Sequence, residues 1–267
     1  MPHLNSPSKI NLTLDVMGRD ERAGKHFVNT VFYIDETIFD EIEVRPKLGG
    51  VKNLIHCDYP AVPLDETNTI SKALELLGIR GAEVMIRKRI PIKAGLGGGS
   101  SNAAAVLKHF GEQKGIPLFQ LQELATQIGA DVPVFLAEGN VVYCEGFGDK
   151  IIQSWQINPL KIKYLETGME VSTPEAYARL DLDQCGRNSV KTEALIQVLN
   201  APSGITAKEL ASYVHNDFED SFFEASPQWK GKGNLCGSGG MLWSIQHNGR
   251  GLENEKMGRI GGGEWNE

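Results

Sequence analysis

Gly95, Gly97, Gly98 and Gly99 stand within five positions, directly ahead of the helix-forming run SSNAAAVLKHF. Each glycine forfeits up to ~1 kcal/mol relative to alanine in regular structure. A loop this rich in glycine is therefore one where the backbone must approach something closely. A helix N-terminus exposes N–H groups without partners and carries roughly half a positive charge, and glycines ahead of it let an anion reach that backbone. Ser100 and Ser101 are suited to cap the helix, donate to phosphate oxygens or ligate magnesium. The plainer alternative is a serine-capped turn without a ligand; the density of glycine favours a phosphate cradle. The loop lacks both the Lys-Ser/Thr ending of a Walker A motif and the GxGxxG order of a dinucleotide fold, so a nucleotide must be held in another way.

The remaining chain sets the frame for that loop. Its 267 residues suffice for one large domain or two lobes. The net charge of −7 provides no overall field for nucleic acid or an anionic membrane. No run reaches the ~18 apolar residues of a membrane span, and MPHLNSPSKINLTLDV lacks the order of a secretory signal, so a cytoplasmic location is expected. Cys57, Cys144, Cys185 and Cys236 have no metal-ligand spacing and read as reduced thiols.

KINLTLDV alternates apolar and polar residues, which predicts a strand with one buried face and Lys9 at its end. FVNTVFYI and FDEIEVR read as further strands, and DETNTISKALELLG as a helix with Ile70, Ala73, Leu74 and Leu77 on its apolar face. AEVMIRKRIPI is expected to be a strand ending at Pro91, followed after the glycine loop by a helix from about Ser100 to Phe110. A helix over Leu118 to Ile128, a strand and turn in NVVYCEGFGDKI, and a strand in KIKYLET come next. Then follow a helix opened by Thr173-Pro174, a helix over TAKELASYVHNDFEDSFFE and a second glycine turn in CGSGGMLWSI. The final HNGRGLENEKMGRIGGGEWNE has little apolar content and is expected to be poorly ordered. Strands and helices interleave without a regular βαβ period, which argues for an α+β fold, with a lobe boundary near Ser154 to Lys161.

Two charged residues admit two readings each. Asp131, between a helix end and Pro133, is either a turn residue or a carboxylate facing a cleft; Lys9 is either solvated or part of a site. Brought together, they would lower a hydroxyl's effective pKa and stabilise charge during phosphoryl transfer. Spacing alone does not bring them together.

PIKAGLGGGSSNAAAVL resembles the phosphate loop of the GHMP small-molecule kinases. SPSKINLTLDV, the GKH segment, ETNTISKA, IGADVPVFL, EGFGDKI, VSTPEAY, HNDFE and CGSGG complete the resemblance in family order, from residue 6 to about 245. The expanded GLGGGSS form is similar to that of the branch acting on a cytidyl diphosphate-linked polyol. The resemblance implies an α+β, two-lobed GHMP kinase fold. Its N-terminal lobe, 1–155, would be ribosomal protein S5 domain 2-like and carry the ATP phosphate loop; its C-terminal lobe, 156–267, would be ferredoxin-like and apparently shortened. The implied activity is ATP-dependent phosphorylation, with Mg2+, of the tertiary 2-hydroxyl of a diphosphocytidyl-methylerythritol in non-mevalonate isoprenoid synthesis.

By the same resemblance Lys9 and Asp131 are the catalytic pair, with Asp131 the base. Ala94, Gly95, Leu96, Gly97, Gly98, Gly99, Ser100 and Ser101 would wrap the ATP phosphates, with Asn68 on the nucleotide side. Asn11 and His26 fall where the family contacts substrate, and Thr173 and Tyr177 lie in the segment that helps hold the cytosine. On residue type alone, His26 also suits a surface and Tyr177 helix packing. The metal ligands stay open. The expected partner is a small-molecule substrate, with no nucleic acid and no membrane, for a monomer or weak homodimer.

Three departures stand out. Gly24-Lys25-His26 replaces the family's frequent Gly-Tyr-His, Asn102 stands where many relatives have aspartate, and the stretch from Phe223 to Cys236 is short. Lys25 leaves open a GHMP kinase for a different alcohol, and the short C-terminal half a nucleotide-binding protein without turnover; the presence of both Lys9 and Asp131 argues against the latter.

Overall fold

The computed structural model describes residues 2–46 and 52–246. Its backbone is a long hairpin, β1 (His3–Asp20) and β2 (Lys25–Pro46), joined by a tight turn at residues 21–24. The stretches FVNTVFYI and FDEIEVR, expected as separate strands, merge into β2 because three register irregularities let one strand bend along β1 without breaking. After β3 (Leu54–Cys57) come α1 (Thr69–Leu76), β4 (Ala82–Arg87), α2 (Gly98–Gln113) and α3 (Leu118–Thr126). A 3-10 turn at Pro133–Leu136 leads to β5 (Val141–Glu145) and β6 (Lys150–Trp155). The expected strand to Pro91 ends earlier, at Arg87, because the next backbone N–H groups turn to side-chain acceptors: Lys88 to Asp58, and Arg89 and Ile90 to Asp40.

The second half contains β7 (Ile162–Glu166), α4 (Thr173–Ala178), α5 (Ser189–Leu199), α6 (Ala207–Ala211), β8 (His215–Asn216), α7 (Glu219–Ala225), β9 (Asn234–Leu235) and β10 (Met241–Ile245). The single helix expected over residues 206–224 is not present. It divides into α6, β8 and α7 because His215 and Asn216 pair in parallel with Thr13 and Leu14 of β1, and this pairing overrides local helix propensity. Helix α5 was not anticipated. The residues from His247 onward, including the expected poorly ordered end, lie outside the described residues.

Two sheets result. The larger has seven strands, in the order β3-β4-β2-β1-β8, with β5 on the first half of β2 and β6 outside it. The smaller is antiparallel, β7-β10-β9. Helices α1, α2 and α3 cover the β2–β4 side through Leu74, Leu107 and Leu121. Ile10 and Leu12 of β1 pack with Leu160, Leu195, Met241 and Trp243 from the second half. All four cysteines carry free thiols. Among the described residues no helix is long and apolar enough to cross a membrane.

Candidate active site

The alternation in β1 is real, but neither of its faces meets water. Ile10, Leu12, Leu14 and Val16 enter the apolar core, while Lys9, Asn11, Thr13 and Asp15 are buried as well. Buried polar side chains need partners, and these find them. Lys9 Nζ donates to Asn11 Oδ1 at 3.0 Å and stands 3.4 Å from Asp131 Oδ2. Asn11 Nδ2 donates to Thr30 Oγ1 at 2.8 Å, and Thr30 donates to the Thr13 carbonyl at 2.7 Å. The ring of Phe32 lies 5.1 Å from the ammonium, a cation–π contact. Lys9 is thus inside the strand, not at its end, and is held from several sides.

The glycine loop passes directly over this pair. The Lys9 N–H donates to the Leu96 carbonyl at 3.0 Å. Gly95 and Gly97 have φ of +78° and +72°, a region L side chains rarely adopt. A Cβ on Gly95 would overlap the carbonyl oxygen of Cys236, and one on Gly97 would fall 3.0 Å from both Lys9 Cγ and Phe135 Cζ. Ala94 and Leu96 are buried, so their side chains anchor the loop from below. Gly97 is the N-cap of α2 and no side chain caps the helix. Ser101 N–H makes the first bond, to Gly97 O at 2.9 Å. The N–H groups of Gly98, Gly99 and Ser100 precede that bond and sit at the positive pole of the helix.

The two serines separate. Ser101 is buried and its hydroxyl accepts from Ser6 at 2.7 Å, whereas the half-buried Ser100 sits in the first turn. Asn68 is occupied too: as N-cap of α1 it accepts from Ile70 N–H at 2.8 Å and donates to the Pro63 carbonyl at 2.6 Å. The structure joins Lys9, Asn11, Asp131 and the loop; it does not bring the Asn68 amide to them with a free end.

Aromatic side chains form the other flank. His26 stacks on Tyr177 with ring centroids 4.3 Å apart and planes 12° from parallel, and Tyr177 meets Phe218 edge-on at 4.9 Å. Burial first, and then the charge of Asp131, pushes the Tyr177 phenol up to about 12. Burial and the nearby Arg19 pull His26 below its ordinary value, against a smaller opposing effect of Glu21. The hydroxyl of Thr173, at the start of α4, meets Ser238 Oγ at 3.1 Å.

Known proteins share this arrangement of elements. The family model for the GHMP kinases N terminal domain matches residues 68–139, which include the glycine loop and Asp131. A 4-diphosphocytidyl-2-C-methyl-D-erythritol kinase of Cyanothece sp. is 33% identical over 259 residues, covering 84% of this chain and 78% of the relative. The kinase of the same name from Carboxydothermus hydrogenoformans is 31% identical over 264 residues, covering 91% and 88%. The chain belongs to the 4-diphosphocytidyl-2-C-methyl-D-erythritol kinase family. A crystal structure of 4-(cytidine 5'-diphospho)-2C-methyl-D-erythritol kinase matches it with a TM-score of 0.68 at 27% identity, covering 91% of this chain and 90% of the other. A homoserine kinase from Cytophaga hutchinsonii shares the fold, with a TM-score of 0.60 at 18% identity and coverage of 91% and 84%.

In this member of the kinase family, several residues beyond the expected ones build the site. Gly237, with φ of +54°, lies where a Cβ would come 3.3 Å from Lys9 Nζ and 3.4 Å from Asn11 Oδ1, so the second glycine turn closes over the lysine. Asn216 holds that turn, donating to the carbonyls of Leu235 at 3.2 Å and Gly237 at 2.8 Å. The HNDFE segment carried this signal, although its expected helix concealed the role. Thr30 and Phe32 sit in a strand that reads as ordinary sheet, and no local pattern distinguishes them. Lys25 lies over the Phe147 ring at 5.2 Å, and Phe147 in turn stacks on Phe27.

Proposed function

We propose that this chain transfers the γ-phosphoryl group of ATP to the 2-hydroxyl of 4-diphosphocytidyl-2-C-methyl-D-erythritol. The observation that carries the reading is the Lys9–Asp131 pair, 3.4 Å apart, under a glycine loop that opens α2. The substrate oxygen forms a bond to the γ-phosphorus as the bond to the ADP oxygen breaks, and the hydroxyl proton passes to the Asp131 carboxylate. Lys9 orients that carboxylate and offsets negative charge developing on the attacking oxygen. Phosphoryl transfer depends mostly on such positioning and electrostatics.

The N–H groups of Gly98, Gly99 and Ser100 would hold the phosphates, with Gly95 and Gly97 letting the loop pack closely against the Cys236 turn and Lys9. The described residues contain no cluster of three or more His, Cys, Asp or Glu side chains suited to a metal. Mg2+ would be carried on phosphate oxygens, with the Ser100 hydroxyl, in the first turn of α2, as a candidate oxygen ligand. Bound there, Mg2+ would neutralise phosphate charge. The His26–Tyr177 stack would receive the cytosine, with Thr173 in the same helix as Tyr177, and Asn11, beside Lys9, would contact the substrate near the reacting hydroxyl. In this reading residues 1–155 form the lobe bearing the phosphate loop and residues 156–267 the lobe that closes the cleft.

The test is ADP release from ATP and Mg2+ with the cytidyl substrate, beside mevalonate, homoserine and a control without acceptor. Release only with the cytidyl substrate is expected. Release with another alcohol instead would favour the second reading, a related kinase whose pocket has changed at Lys25. ATP binding without acceptor-dependent release would overturn both.

A further inference from the structure

A buried ion pair lies beneath the glycine loop. Asp40 of β2 is fully buried and the Lys88 side chain, just past β4, is 6% exposed; their Oδ2 and Nζ are in direct contact. Asp40 Oδ1 accepts from the N–H groups of Arg89 at 2.7 Å and Ile90 at 2.9 Å. Asn102 in α2 donates through Nδ2 to Asp40 Oδ2 at 2.8 Å and to Ser6 Oγ at 2.9 Å, and accepts from Lys88 at 3.5 Å. Ser6 then donates to Ser101 at 2.7 Å. The network ties β1, β2 and the segment after β4 to the first turns of α2.

Its charges are ordered with respect to the loop. A Cβ on Gly98 would lie 3.0 Å from Lys88 Nζ, so the ammonium touches the first residue of α2. The Asn102 amide uses both of its hydrogens here, whereas an aspartate at this position would set a second carboxylate against Asp40. The neutral side chain leaves one positive and one negative group in balance, with the positive one against the loop.

We propose that Lys88 is a positioning residue for ATP. Its ammonium cancels Asp40 beneath the loop, so that the N-terminus of α2 presents a positive face to the phosphates. Through Asp40 and Asn102 it also fixes the first turns of the helix. The inference rests on reading this loop as the ATP site. Removing Lys88 alone leaves a buried carboxylate without its countercharge, and that charge opposes the phosphates.

The experiment measures binding of magnesium-ATP and of adenosine, which has no phosphates, together with thermal unfolding. It uses the wild type, Lys88→Met, Lys88→Arg and the double variant Lys88→Met/Asp40→Asn. Lys88→Met is expected to weaken ATP about tenfold and adenosine by less than about twofold, the size of one uncompensated charge acting across several ångströms. The double variant and Lys88→Arg should recover most of the ATP affinity. Equal weakening of ATP and adenosine, or unchanged ATP binding, would reduce Lys88 to packing and overturn the proposal. Wild type that binds no ATP removes the underlying reading and the proposal together; wild type that binds it, with Lys88→Met indistinguishable, sinks the proposal alone. Should Lys88→Met not fold, Lys88→Gln, which keeps a donor toward Asp40, is read by the same criteria.

Discussion

The Lys9 ammonium, in a side chain 5% exposed, stands 3.4 Å from a carboxylate oxygen of Asp131, in a side chain 36% exposed. The asymmetry suits the proposed parts. The cation is the fixed partner, held also by Asn11 at 3.0 Å, and the carboxylate is the one open to an incoming hydroxyl. Asp131→Asn keeps the shape but not the base, so kcat should fall by about 10²- to 10⁴-fold, the usual scale for a general base. ATP affinity should stay as it is, since Asp131 lies outside the glycine loop. Single-turnover kinetics beside nucleotide titration checks both; full turnover in the variant would remove Asp131 from catalysis.

Gly95 joins two demands, a φ of +78° and a contact with the Cys236 carbonyl. Gly115 has a similar φ of +68° but open space where its Cβ would be, so it isolates the conformational part. Gly115→Ala should cost about 1 kcal/mol, and Gly95→Ala at least about 2 kcal/mol, because overpacking adds to backbone strain. Denaturant unfolding of the two variants makes the comparison. Equal losses would mean that the two glycine turns do not meet as closely as the structure has them.

Local features were legible where local chemistry decides. The glycine loop, the apolar face of α1 and the strand alternation of KINLTLDV could be read from residue order. What the alternation could not disclose is that its polar face is buried: Lys9 and Asn11 acquire their surroundings from Thr30, Asp131 and Gly237, all distant in the chain. The segment around His215 failed as a helix for the same reason, since its pairing partner is Thr13. Asp40 and Lys88 pass for ordinary residues, and Asn102 stands out only against the family's aspartate, until the fold brings the three together. In the site itself, the resemblance to GHMP kinases supplied the pairing of Lys9 with Asp131 that spacing could not.

In the proposed function the His26–Tyr177 stack receives the cytosine, so recognition should depend on ring surface more than on the phenol. Tyr177→Ala should raise KM for the cytidyl substrate by up to about tenfold, the scale of one aromatic contact, and leave KM for ATP unchanged. Tyr177→Phe keeps the ring and should stay within about twofold of wild type. Initial rates with each substrate varied in turn separate these outcomes. A parallel rise in both KM values would assign Tyr177 to general packing against Phe218.

His215 joins β1 to the second half of the chain and makes stability depend on pH. Its Nε2 lies 2.9 Å from Asp15 Oδ1 and its Nδ1 lies 2.9 Å from the Tyr213 carbonyl oxygen. Both neighbours accept, so both ring nitrogens carry hydrogen when the pair is complete. Thr192 donates to the other oxygen of Asp15 at 2.6 Å. Burial opposes the charged ring, but the bonds to Asp15 and Tyr213 and the charges of Asp15 and Asp217 outweigh it and raise the pKa above its ordinary 6.5. A raised native value means that the folded chain binds the proton more tightly than the unfolded one. The stabilisation is therefore complete below pH 6.5 and is lost as pH rises through the native pKa. Glu219, pushed up to about 7 by burial, adds a slope of the same sign at lower pH, so His215 must be isolated by difference. Thermal unfolding of wild type and His215→Gln should show wild type more stable in acid, with the gap narrowing as the solution becomes alkaline. A gap that is constant with pH would show the ring to be neutral throughout and its contribution to be packing alone.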